Sequence, residues 1–159
     1  MSVSTEGVPA GAAGYCWAMS SIDEEHARPE GASDGLVAAA GAMSEAFERL
    51  ERARGALYTF HQLIGGADAQ LDDVVDGLRA NGFDGLADRI DDELIGLNTL
   101  AGRWTFQVVE EFDDGYYATF RALAAAVREE TMLGRRHVLE AEVKQARRTR
   151  RRPGHEATP

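Results

Sequence analysis

The sequence predicts an all-α fold, an antiparallel helical bundle of four to five helices with disordered N- and C-terminal tails. Three observations carry this. Apolar residues recur with strict three–four spacing from Leu36 to Ile64. A second stripe of the same period runs from Val108 to Val127. No alternating strand pattern bounded by hairpin turns occurs in the chain. A length of 159 residues is one domain's worth. The expected layout is a tail over 1–33, a helical domain over 34–148 and a tail over 149–159.

Residues 1–33 mix Ser, Gly, Pro, Ala and acids without periodicity, apart from an apolar island at Tyr15, Cys16, Trp17 and Met19. Asp34 is the expected N-cap of the first helix. Behind it come Leu36, Ala39, Met43, Ala46, Leu50, Ala53, Leu57, Phe60 and Ile64. Large residues hold one seam position and Ala most of the other, so a partner helix can approach closely on the Ala side. Gly65 and Gly66 are expected to stop this helix.

A second helix is expected over 68–80, with Leu71, Val74, Val75 and Leu78 as its seam and Asn81-Gly82 as its end. A third, over 84–95, places Leu86, Ile90 and Leu94 on one face. Residues 96–103 read as a connection. The fourth helix, over 104–131, carries Val108, Val109, Phe112, Tyr116, Phe120, Leu123 and Val127. Gly115 lies inside it at a cost of ~1 kcal/mol relative to Ala. Leu133-Gly134 marks a break before a short helix with His137, Val138, Leu139, Val143 and Ala146. The polar end with two prolines is expected to be unstructured.

Charge separates along the chain. There are 27 Asp and Glu against 17 Lys and Arg, a net of −10. Residues 1–134 hold 24 of those acids and 9 of those bases, and residues 135–159 hold 3 and 8. An acidic body repels nucleic acid and anionic membrane. Lys144 is the only lysine, an arginine bias that suits a GC-rich coding sequence. With Cys16 the single cysteine, an internal disulfide and a cysteine-based zinc site are excluded. No secretory signal and no membrane span is read, so the cytoplasm is the expected location.

Phosphate loops, GxGxxG, GxSxG, HExxH and CxxC are absent, so no catalytic residue and no cofactor is assigned. The candidate metal ligands are His61, Glu110, Glu111, His137 and Glu140. A helical bundle holds metals with carboxylates and histidines, usually through a Glu-x-x-His pair on each of two helices. Here that pair is reversed, His137-x-x-Glu140, and occurs once. The candidate partner-binding residues are Trp104, whose exposure would mark a binding surface, and Arg147, Arg148, Arg150, Arg151 and Arg152. Those arginines could neutralise phosphates without reading sequence.

The segment Gly102-Arg103-Trp104-Thr105-Phe106-Gln107-Val108-Val109-Glu110-Glu111-Phe112, followed by His137-Val138-Leu139-Glu140-Ala141-Glu142-Val143-Lys144, resembles a small family of actinobacterial all-helical proteins of no known activity. The resemblance covers roughly 57–147. It assigns no site, but it marks Trp104, Glu110, Glu111, His137, Glu140 and Lys144 for testing. The function expected from the whole sequence is a non-enzymatic interaction or regulatory module, with an unidentified protein or a second copy as partner. The alternatives are a metal-binding bundle acting as enzyme or store, and nucleic-acid association through the arginine tail.

Overall fold

The first helix, α1 (Asp34–Ala80), is a rod of 47 residues, ~70 Å long. In the computed structural model, which describes residues 21–158, every regular element is helical and no strand forms among the described residues. Ser33, not Asp34, is the N-cap of α1, and its hydroxyl accepts the Leu36 N–H at 3.2 Å. Asp34 instead sits in the first turn, where its charge suits the helix dipole.

The expected stop at Gly65-Gly66 does not occur. Neither glycine takes a positive φ, and α1 runs through both. Leu71 and Leu78 keep the phase of the Leu36–Ile64 stripe, so continuing the helix extends one apolar face. That offsets the ~1 kcal/mol that each helical glycine costs. The real end is at Asn81-Gly82, as the sequence predicts. Gly82 has φ +78°, its N–H bonds to the Arg79 carbonyl at 3.1 Å, and the Phe83 N–H bonds to the Leu78 carbonyl at 2.9 Å.

The next helix, α2 (Asp84–Glu93), folds back on the end of α1. Ala87 and Val75 are buried there, and Arg79 bridges Asp88 at 3.1 Å and Asp91 at 3.0 Å. The connection that follows is tied to α1 by the Gly96 N–H, which donates to Asp68 Oδ1 at 3.1 Å.

The second arm begins at Trp104, whose backbone N–H donates to Gln107 Oε1 at 2.9 Å. It is α3 (Thr105–Phe112), a π-helical turn (Asp113–Tyr117) and α4 (Ala118–Met132) in unbroken succession. Gly115 thus lies within one continuous arm, but in a π turn. A π turn holds an extra residue and rotates everything after it. Leu133 and Gly134, at φ 53° and 75°, break the arm where the sequence predicts.

The last helix, α5 (Val138–Arg147), packs on the first turns of α1. Val37, Met132 and Val138 form a small core, with Ala32, Ala40 and Leu139 around it. Residues 21–33, expected to belong to an unstructured tail, are fastened to this end. Arg28 holds Glu142 through Nε at 2.6 Å and Nη2 at 2.8 Å, and reaches Asp34 at 2.5 Å. Arg135 donates to the Ala27 carbonyl at 2.8 Å, and Pro29 is buried. Opposite charges, not apolar periodicity, fix this segment. The island at Tyr15, Cys16, Trp17 and Met19 lies outside the described residues. Residues beyond 148, also expected to be unstructured, form turns in which the Thr149 N–H meets His155 Nδ1 at 3.3 Å.

Candidate interaction surface

The two arms meet on faces that only partly coincide with the apolar stripes. Contacts between α1 and the second arm run in reverse order along the two segments, and their centre is polar. His61 Nδ1 and Thr105 Oγ1 share a hydrogen bond of 2.8 Å. Arg54 holds Asp113 with both ends of its guanidinium, at 2.7 and 2.8 Å. Tyr58 donates to the same carboxylate at 3.0 Å, and Tyr117 donates to Glu51 at 2.7 Å. The Arg54 guanidinium also lies over the rings of Tyr58 and Tyr117 at 4.9 and 4.8 Å. Phe47 supplies the apolar part, with its ring 6.0 Å from those of Tyr117 and Phe120.

Charge settles in this cluster accordingly. The Arg54 guanidinium holds the Asp113 carboxyl below its ordinary range, against a smaller opposing effect of desolvation. Asp113 in turn raises Arg54, and it raises the Tyr58 phenol by accepting its proton in a hydrogen bond. Glu51 raises Tyr117 in the same way.

On α1 the contact positions are Phe47, Glu51, Arg54, Tyr58 and His61, each beside the predicted seam. The seam itself is covered on one edge only. Leu36, Met43, Leu50, Leu57 and Ile64 form one row, and Ala39, Ala46, Ala53, Phe60 and Ala67 the other; none of the ten is buried, although Met43, Ala46, Leu50, Leu57 and Ile64 are half-buried where they flank the contact. Leu36 and Phe60 expose 38% and 37% of their surface, and the flanking Leu63 exposes 67%. The second arm shows the same displacement. Ahead of the π turn the stripe residue Val109 is buried; from the turn on, Tyr116 and Leu123 of the stripe are 63% and 56% exposed and Ala124, beside the stripe, is buried. The π turn accounts for this, because it shifts the inward face by one residue around the helix.

At Ile64 and Ala67 the seam opens into a cleft of about 540 Å³ between α1, the connection and the start of α3. His61, Leu97, Trp104 and Phe106 are among its walls, with the Trp104 and Phe106 rings 5.3 Å apart. Trp104 is 60% exposed. Gly65 lines the cleft and has open space where a side chain would stand.

The predicted metal ligands are not brought together. His61 is engaged by Thr105 at the start of the second arm. Glu110 is exposed, and Glu111 pairs with Arg103. His137 caps α5 at the other end of that arm, 6.5 Å from the His26 ring, and Glu140 is exposed in the first turn of α5. Among the described residues no group of three or more His, Cys, Asp and Glu is placed to hold a metal ion. One face per helix does not make one site when the helices meet end to end.

Of the arginine run, Arg147, Arg150, Arg151 and Arg152 are exposed. Arg148 is half-buried, bonded to Gln145 at 2.5 Å and to the His155 carbonyl at 3.3 Å. Sequence reasoning missed the Arg54–Asp113 cluster and the cleft. The signal for the first was a charged residue next to an apolar seam on each arm. The second needed the fold-back of residues 94–99, which no spacing encodes. Comparison with known proteins returns no matching family model, curated protein or solved structure.

Proposed function

We propose that this chain is a non-enzymatic interaction module whose working surface is the uncovered seam of α1, continued into the Trp104 cleft. One observation carries the reading: an apolar seam at helical spacing, four heptads long, lies along the edge of the intramolecular contact, with none of its ten members buried and its Ala39, Ala53, Phe60 and Ala67 row largely exposed. Apolar faces of this regularity are normally buried, and exposed ones mark association sites. The antiparallel four-to-five-helix bundle that the sequence predicts for the single chain remains the proposed arrangement, and a partner adds cover to the seam. The cytoplasm remains the proposed location; no helix of the described residues is long and apolar enough to cross a membrane.

The surface suits protein more than nucleic acid. None of the ten seam residues is charged, Arg49 in the row beside them is paired with Glu45, the cleft adds only the acid Asp68, and the arginine run stands at the opposite end from the cleft. The test is retention of partners on the immobilised full chain. Ala53→Glu, at an exposed seam position, should abolish the retention seen with wild type. Glu48→Lys, on the far face of the same helix, should leave it intact. Equal retention by all three proteins, or none by wild type, contradicts the proposal.

A further inference from the structure

We infer that the α1 seam is covered by a second copy of this chain, with the two α1 helices antiparallel. This rests on the reading of α1 as an interaction surface and names its partner. The argument begins with the shape of the seam. In reverse alignment Leu36 falls opposite Ala67 of the copy, Ala39 opposite Ile64, Ala46 opposite Leu57 and Leu50 opposite Ala53. Each of these layers sets a bulky residue on a small one. The remaining layer sets Met43, a flexible side chain, against Phe60. Alternation of this kind fills space evenly and lets the helices approach closely. Parallel alignment would instead stack Leu50 on Leu50 and Ala53 on Ala53, alternating crowded layers with gaps.

One two-fold register uses all ten seam residues on both copies, with none left over. Self-complementarity of that sort is what a two-fold interface requires. An arbitrary partner would have to carry the same alternation in reverse. Four heptads is also the length at which such a repeat supports a coiled coil.

Charge points the same way. A chain of net charge −10 repels its own copies, so self-association needs a face free of acids. The seam and the row beside it, Ala42, Arg49, Ala56 and Leu63, contain no Asp or Glu. The acids of α1 stand elsewhere on it, at Asp34, Glu45, Glu48, Glu51, Asp68, Asp72, Asp73 and Asp76. The strip spans ~48 Å by ~10 Å, at the upper end of the roughly 300–600 Å² apolar patches found on monomers.

The test uses the full chain in two measurements. Sedimentation should give twice the chain mass of 17.2 kDa, with dissociation on dilution. Ala53→Glu and Ala67→Glu replace residues that are exposed in the single chain, so helicity by circular dichroism should be retained. Each puts an acid into an apolar layer and should weaken the dimer about 100-fold or more. Orientation is read with a spin label at Ala38→Cys in a Cys16→Ser background; Ala38 is exposed on neither contact face. Antiparallel copies set residue 38 opposite residue 65, which separates the two labels by about 40 Å, whereas parallel copies hold them within about 20 Å.

A dimer with the long label distance, lost in both glutamate variants, is the expected result. A dimer that survives both variants, or one with the short distance, overturns the inference. So does a wild-type chain that stays monomeric at ~100 µM. If that monomer still retains another protein and Ala53→Glu does not, the interaction reading stands and only self-pairing falls. If wild type and Ala53→Glu behave alike in sedimentation and in retention, both fall.

Discussion

Arg54 of α1 holds Asp113 at the first residue of the π turn, Nε to Oδ1 at 2.7 Å and Nη2 to Oδ2 at 2.8 Å. The pair fixes which side of the second arm faces α1. It does so where that arm changes its winding. Tyr58 completes the carboxylate's partners, and Tyr117 lies under the guanidinium. A forked grip of this kind sets geometry as well as attraction.

Arg54→Lys should therefore not act as a conservative change, since an ammonium cannot reproduce the fork. Both Arg54→Lys and Asp113→Asn should lower the thermal midpoint by a few degrees, about what loss of a half-exposed ion pair allows. The double variant should fall little further than either single one, because each removes the same contact. Thermal melts of the four proteins check this; additive losses would show that the two residues act separately.

Acid should loosen the chain at two places. The carboxyls of Asp113 and Glu142 are held below their ordinary 3.8 and 4.5 by Arg54 and Arg28. A carboxyl depressed on folding adds stability that is complete above its unfolded value and is lost as pH falls through the folded one. The denaturation midpoint should then hold from pH 7 to about 5 and drop below about 4. Asp113→Asn should show a shallower drop, because one of the two carboxyls held down by an arginine is gone. An identical acid profile for wild type and Asp113→Asn would remove Asp113 from the explanation.

Glycine substitutions read the continuity of α1. Gly66 is helical with open space around a would-be Cβ, so Gly66→Ala should stabilise by up to ~1 kcal/mol. Gly82 has φ +78° in the turn that ends the helix, so Gly82→Ala should destabilise by about 1 kcal/mol. Chemical denaturation measures both. A helix that stopped at Gly65-Gly66 would reverse the sign of the first.

Gly41 seats α5. A Cβ there would stand 3.2 Å from Leu139 Cβ and 3.3 Å from its Cγ, closer than side chains normally pack. Gly41→Val should cost about 1–3 kcal/mol through overpacking. Adding Leu139→Ala should recover part of that loss, although Leu139→Ala alone is destabilising. Lack of any such compensation would mean that α5 does not rest on this face of α1.

Much of the fold was legible because it depends on local chemistry. Asn81-Gly82 and Leu133-Gly134 end helices as their backbone preferences require, and the apolar period named both arms. Two kinds of information were not local. Gly65-Gly66 looked like a stop, but its effect depends on whether the seam resumes in phase at Leu71, and it does. A stripe also does not say which neighbour covers it. Arg54, Glu51 and His61, together with Phe47, draw the second arm to the flank of the seam, so polar pairing as well as hydrophobic period chose the intramolecular face. The same ambiguity undid the metal set. His61 and His137 lie on suitable faces of helices that meet the second arm at opposite ends.

The claim that α1 offers an uncovered seam is tested most directly by hydroxyl-radical footprinting of the full chain across a dilution series. Met43, Leu57 and Phe60 should be protected at ~100 µM and become reactive as the protein is diluted toward ~1 µM, while Phe47, held between the arms, stays unchanged throughout. Constant protection of the three at every concentration would place the seam inside the single chain. Constant reactivity would leave it without a self-partner. The first result contradicts the uncovered seam, and the second contradicts its pairing with a second copy.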